Sequence, residues 1–92
     1  MQDLYKKLHV SIGTIIDYLK EFDNTKNDLI KKKIRPYQVE MVHLSKVIGG
    51  NIQKLSQKLS DDIDIYLSIH DKEKFLKLIE DAIKIQNSLW EL

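Results

Sequence analysis

Residues 36–70 read PYQVEMVHLSKVIGGNIQKLSQKLSDDIDIYLSIH, and how this stretch is read decides the fold. Its apolar residues fall at Met41, Leu44, Ile48, Ile52, Leu55, Leu59, Ile63 and Tyr66, with gaps of 3, 4, 4, 3, 4, 4 and 3. A helix turns once every 3.6 residues, so this row keeps to one face from end to end. An eleven-residue advance per three turns follows a nearly straight path, unlike the left-handed heptad coil. The row crosses Gly49-Gly50 and Ser60-Asp61-Asp62 without losing phase. Two separate helices have no reason to agree in phase, so the pattern predicts one long helix over about 36–70. At 1.5 Å per residue it spans roughly 50 Å. The rest of the chain is then expected to pack around it as an all-α antiparallel bundle of three to four helices, in one domain covering 1–92.

Upstream, Tyr5, Leu8, Ile12, Ile15, Leu19 and Phe22 form a seam with alternating gaps of 3 and 4, widened by Leu4 and Ile16. A first helix starting near Gln2 or Asp3 follows. Gly13 inside it costs about 1 kcal/mol relative to Ala and suggests a close helix crossing. Asp23-Asn24-Thr25-Lys26-Asn27-Asp28 is rich in turn and capping residues. It predicts a break at Asp23–Thr25, then a short helix from about Lys26 to Lys33; the alternative is a first helix running on to Lys33. Pro36 restrains Arg35 to an extended backbone, so a turn is expected at Ile34–Pro36.

Downstream, Asp71 is placed to cap the last helix, with Glu73 at its positive end. Phe75, Leu78, Ala82, Ile85, Leu89 and Leu92 make one seam, and Leu76, Ile79, Ile83 and Trp90 make a second beside it. Together they cover about 200° of the helix, against about 100° for an ordinary surface helix. One copy of so small a bundle does not hide such an arc. Large apolar and aromatic anchors dominate protein interfaces. Phe75, Leu76, Ile79, Ile83 and Trp90 are therefore the candidate partner-binding residues, and a homodimer or another protein is the expected partner.

Composition removes several functions. There is no Cys, which excludes disulfide frameworks, thiolate zinc sites and cysteine nucleophiles. No run approaches the ~18 apolar residues of a membrane span. The opening residues lack a signal-peptide pattern. A cytoplasmic location is the expectation. Net charge is +1, split into +5 over residues 1–60 and −4 over 61–92. Such a dipole can steer a partner, although solvated helix faces alone account for it. No P-loop, dinucleotide fingerprint, nucleophile elbow or zinc-protease motif occurs. Asp61-Asp62-x-Asp64 lacks the glycine and spacing of a calcium loop. No enzyme activity, metal, cofactor or small-molecule substrate is expected.

Two other patterns offer chemistry. On a continuous helix His43 points away from the apolar row, with Lys46 one turn on and Gly50 two turns on. The run His43-Leu44-Ser45-Lys46-Val47-Ile48-Gly49-Gly50 resembles the phosphoacceptor helix of histidine phosphotransfer domains. The resemblance implies a helical bundle, an exposed nucleophilic His43, a Lys46 that helps neutralise the phosphoryl group, and a small residue that admits the response regulator. Imidazole is a competent nucleophile near neutral pH. Members of that family carry Gly directly after the Lys, where this chain has Val47. Lys31, Lys32, Lys33 and Arg35 form the concentrated basic run and are candidate nucleic-acid contacts. No aromatic or glycine-rich readout element accompanies them. The reading these features favour is a small non-catalytic interaction or regulatory module of adaptor, inhibitor or viral accessory type.

Overall fold

The computed structural model describes residues 2–90, which form four helices: α1 (Gln2–Thr25), α2 (Asp28–Ile48), α3 (Gly50–Ile69) and α4 (Lys72–Trp90). Each helix packs against its two neighbours around a ring, and the backbones of the diagonal pairs stand further apart. Connections of one or two residues force consecutive helices to run antiparallel. The long dimension of the bundle, 36 Å, matches α1, whose 24 residues rise about 36 Å.

The all-α antiparallel bundle is as the periodicity predicts. The long helix is not. The chain folds back at Gly49, so the row from Met41 to Tyr66 is divided between α2 and α3. Gly49 has φ +77 and ψ −166, and Gly50 has φ +57, backbone conformations that side-chain-bearing residues rarely adopt. The fold-back gives up three backbone hydrogen bonds that a straight helix would make, each worth about 1 kcal/mol net. It brings Ile52, Leu59, Ile63 and Tyr66 into the shared core, where all four are buried. Burying each contributes about 1.5–3 kcal/mol, so the hairpin wins within one copy.

The turn expected at Ile34–Pro36 is also absent. Pro36 lies inside α2, leaving the Lys32 carbonyl without its helical donor. Pro36 and Lys32 are both exposed, so the interruption lies on the solvent side of the helix. The cost of an interior proline, about 3 kcal/mol, is offset because a continuous α2 buries Ile30 and Ile34 in the same core as Met41. The break upstream falls at Lys26–Asn27 instead of Asp23–Thr25. Lys26 takes φ +53, and the Asn27 side chain caps α2 by accepting from the Leu29 N–H at 3.0 Å. Asp71 caps α4 as expected, its Oδ1 accepting from the Glu73 N–H at 2.9 Å.

The core is one cluster fed by every helix. Leu8, Ile12, Ile15, Leu19 and Phe22 of α1 are fully enclosed, which is the seam read from the sequence. Phe75, Leu78, Ala82, Ile85 and Leu89 supply the α4 side; Leu92, assigned to the same seam, lies outside the described residues. At one end of the bundle the Asp23 carboxylate ties three helices together. Its Oδ1 accepts from the Tyr66 hydroxyl at 2.8 Å and from Lys26 Nζ at 3.2 Å, and its Oδ2 pairs with Lys72.

Candidate protein-docking face

At 100° per residue, Leu76, Ile79, Ile83 and Trp90 fall within an arc of about 60° on α4, beside the core seam and turned toward the α1 edge. Leu76, Ile83 and Trp90 are 58%, 43% and 70% exposed, and Ile79 is half-buried against the core. Phe75 is expected with them as a large aromatic anchor, although its spacing puts it on the other seam. The structure removes it from the face: it is only 6% exposed, with its ring 5.6 Å from the Tyr66 ring. One residue along a helix is a rotation of 100°, which separates an inward Phe75 from an outward Leu76.

The α1 edge next to this stripe is built by contacts that no sequence pattern announces. His9 and Trp90 place their rings 4.7 Å apart, tilted by 54°. Gln86 Nε2 donates to the His9 carbonyl at 3.1 Å. The same amide reaches over Gly13, where an added Cβ would sit 3.3 Å from Gln86 Nε2. The neighbour at Gly13 is thus the tip of a long side chain from α4, and among the described residues no backbone of another helix comes within 4 Å of that position. His9 stacks at one end and Lys72 pairs with Asp23 at the other, so α1 and α4 run antiparallel along the full face.

The phosphoacceptor candidates are placed differently from a single helix. His43 and Lys46 are exposed on α2 and line the α2–α3 groove with Gln57, Asp61 and Asp64. Gly50 opens α3 beyond the fold-back, so it is not two turns further along the helix of His43. The carboxylates of Asp61 and Asp64 across the groove oppose a phosphoryl group there. Of what the resemblance implied, the helical bundle and the exposed His43 are present, while the small residue on the same helix is not.

The basic run does not make one patch either. Because residues 31–35 are helical, their side chains fan out around α2. Lys31 pairs with Asp28 at 3.7 Å and lies over the Phe22 ring, and Arg35 pairs with Asp64 of α3 at 3.4 Å. Lys32 and Lys33 are exposed on different sides of the helix. A run that looks concentrated in sequence is thus partly neutralised and dispersed.

The Asp23 cluster perturbs titration but is a clamp. The Asp23 side chain is 8% exposed, and its carboxyl is held at about 2. The Lys72 hydrogen bond lowers it most; burial opposes this, and Tyr66 and Lys26 reinforce it. The Tyr66 hydroxyl is pushed above its ordinary range by burial first and by the Asp23 carboxylate second. The Tyr66 ring is fully buried, with the rings of Phe22, His70 and Phe75 5.6–6.5 Å from it. Among the described residues no group of three His, Asp or Glu side chains is placed to hold a metal ion. None of the helices is long and apolar enough to cross a membrane.

No protein-family model matches this chain, and neither a curated protein nor a solved structure does.

Proposed function

We propose that the chain is a non-catalytic protein-binding module that holds an amphipathic helix of another protein along the outer stripe of α4 and the adjoining edge of α1. One observation carries this reading. The core closes without Leu76, Ile83 and Trp90, yet these three large apolar side chains are aligned on one stripe. Scattered exposed apolar residues are ordinary on a protein surface; aligned ones flanked by polar residues mark a contact face.

The stripe suits a helix. From Leu76 to Trp90 it runs about 21 Å, and its spacing offers ridges into which a second helix meshes. Its margins carry both signs, with Lys72, Glu73, Glu80 and Lys84 on α4 and Lys20 on α1. A partner helix with mixed charges on its flanks fits that rim, whereas a uniformly charged surface such as a nucleic acid does not. Trp90 is the natural anchor, since tryptophan is the side chain most enriched among the dominant contacts at such faces.

The test uses a purified partner, first captured with the wild-type chain as bait and then titrated. Trp90 is the only tryptophan, so its fluorescence reports the face directly. Binding is expected to shift its emission to the blue. Leu76→Asp and Ile83→Asp are each expected to weaken binding by about 30-fold or more, with urea midpoints unchanged. A partner that binds both variants as tightly as wild type overturns the reading. So does unfolding of the variants, which places the stripe in the core.

A further inference from the structure

We propose that this chain also forms a dimer by exchanging its α3–α4 half with a second copy, through straightening of the α2–α3 hairpin into one helix. The exchange does not depend on the docking face. Its basis is a mismatch between the apolar row and the fold. The row from Met41 to Tyr66 keeps helical phase across Gly49-Gly50, although the chain reverses there. In a hairpin the turn sets the rotation of one helix against the other, and nothing requires that rotation to match the phase of a straight helix. Continuity of phase is what residues 28–69 need to form one straight helix, whose single apolar face then packs along the same helix of a second copy.

The hinge is built for this change. The connection is one residue long, and Gly49 serves both helices: its N–H donates to the Ser45 carbonyl at 2.8 Å, and its carbonyl accepts from the Gln53 N–H at 3.3 Å. Both of those bonds are of helical i to i+4 type and survive straightening. Rotating Gly49 and Gly50 from positive φ into the helical region then adds three more. They run from the Gly50, Asn51 and Ile52 N–H groups to the Lys46, Val47 and Ile48 carbonyls. Nothing lies within 4 Å of a Cβ built at either glycine, so a side chain there meets no steric obstacle and opposes the turn only through the positive φ angles.

The remaining contacts are neutral to the exchange. Every pairing between the α1–α2 half and the α3–α4 half re-forms with the second copy. This includes Tyr66 and Lys72 with Asp23, Gln38 with the Ser60 carbonyl, Arg35 with Asp64, and Gln86 with the His9 carbonyl. The α1–α4 face is then assembled from two chains and displayed twice. Short hinges between well-packed halves are the known hazard for such swapping.

The experiment measures mass and one distance. The wild type and a Gly49→Ala, Gly50→Ala chain are refolded from denaturant at low and high protein concentration and sized by light scattering. Alanine is disfavoured at φ +77 and +57 and favoured in a straight helix, so the double variant is expected at twice the 10.8 kDa monomer mass with helical content retained. The wild type is expected to dimerise only when refolded at high concentration. The chain has no cysteine, so spin labels at Arg35→Cys and Asp64→Cys are unique. These positions touch in the hairpin, but lie about 44 Å apart on one straight helix, a distance read in dimers diluted with unlabelled chain. Dimers with the long distance support the exchange. Dimers whose labels stay close, or monomers under every condition, overturn it. If the double variant loses its helical signal, the refolded wild type and its label distance decide between these outcomes.

Discussion

At the scale of single residues, two buried polar groups behave oppositely. Asp23 is enclosed but has three partners, so its charge is an asset above the acid range. Its carboxyl is lowered from an ordinary 3.8 to about 2. A lowered folded-state value means the contribution is complete above about pH 4 and disappears as pH falls toward 2. Both lysines are substantially in water, so we expect about 1–2 kcal/mol. Urea titrations between pH 5 and pH 2 check this: Asp23→Asn should be less stable than wild type at pH 5, and the difference should close near pH 2. Ser56 is the contrasting case. Its hydroxyl is buried on α3 with no hydrogen-bond partner among the described residues. Ser56→Ala is therefore expected to leave stability unchanged or raise it by up to about 1 kcal/mol, where a satisfied buried hydroxyl would lose that much. A lower urea midpoint in Ser56→Ala would show that the hydroxyl has a partner after all. The sequence marks Asp23 only as a turn residue, because its partners Tyr66 and Lys72 come from helices distant along the chain.

At the scale of elements, α2 and α4 each hold a local rule against a longer-range demand. Pro36 interrupts α2 on its exposed side. Replacing it with alanine restores the bond to the Lys32 carbonyl and removes an unfavourable residue, while adding freedom to the unfolded chain. The expected net gain is about 1–2 kcal/mol, seen as a rise in Tm of roughly 4–8 °C per kcal/mol for a domain of this size. The two seams of α4 separate just as sharply. Phe75→Ala, on the core side, is expected to cost about 3–5 kcal/mol. Leu76→Ala, one residue further and outward, should stay within about 0.5 kcal/mol of wild type. Equal losses at both positions would contradict the orientation of α4. The doubled apolar arc was legible from residue types alone. Which seam faces inward was not, because two adjacent stripes of similar size on one helix differ only in what the other three helices offer them.

At the scale of the whole molecule, one core fed by four helices predicts one cooperative unfolding transition. Helical circular dichroism and tyrosine fluorescence should therefore lose signal at the same urea concentration; separated midpoints would mean that the α3–α4 half melts on its own. The sequence by itself determined that this chain is helical, which residues point inward along α1, and that α4 carries a doubled apolar arc. These are local properties, written in a period of 3.6 residues and in the capping residue Asp71. Only the tertiary structure decided that residues 36–70 reverse at Gly49, that α2 runs through Pro36, that the basic run disperses, and that Asp23 joins three helices. The reason is energetic. At Gly49-Gly50 three backbone hydrogen bonds favour going straight. The burial of Ile52, Leu59, Ile63 and Tyr66 against helices far off in sequence favours turning back. A pattern along one stretch of chain cannot weigh a term that exists only once the other helices are in place.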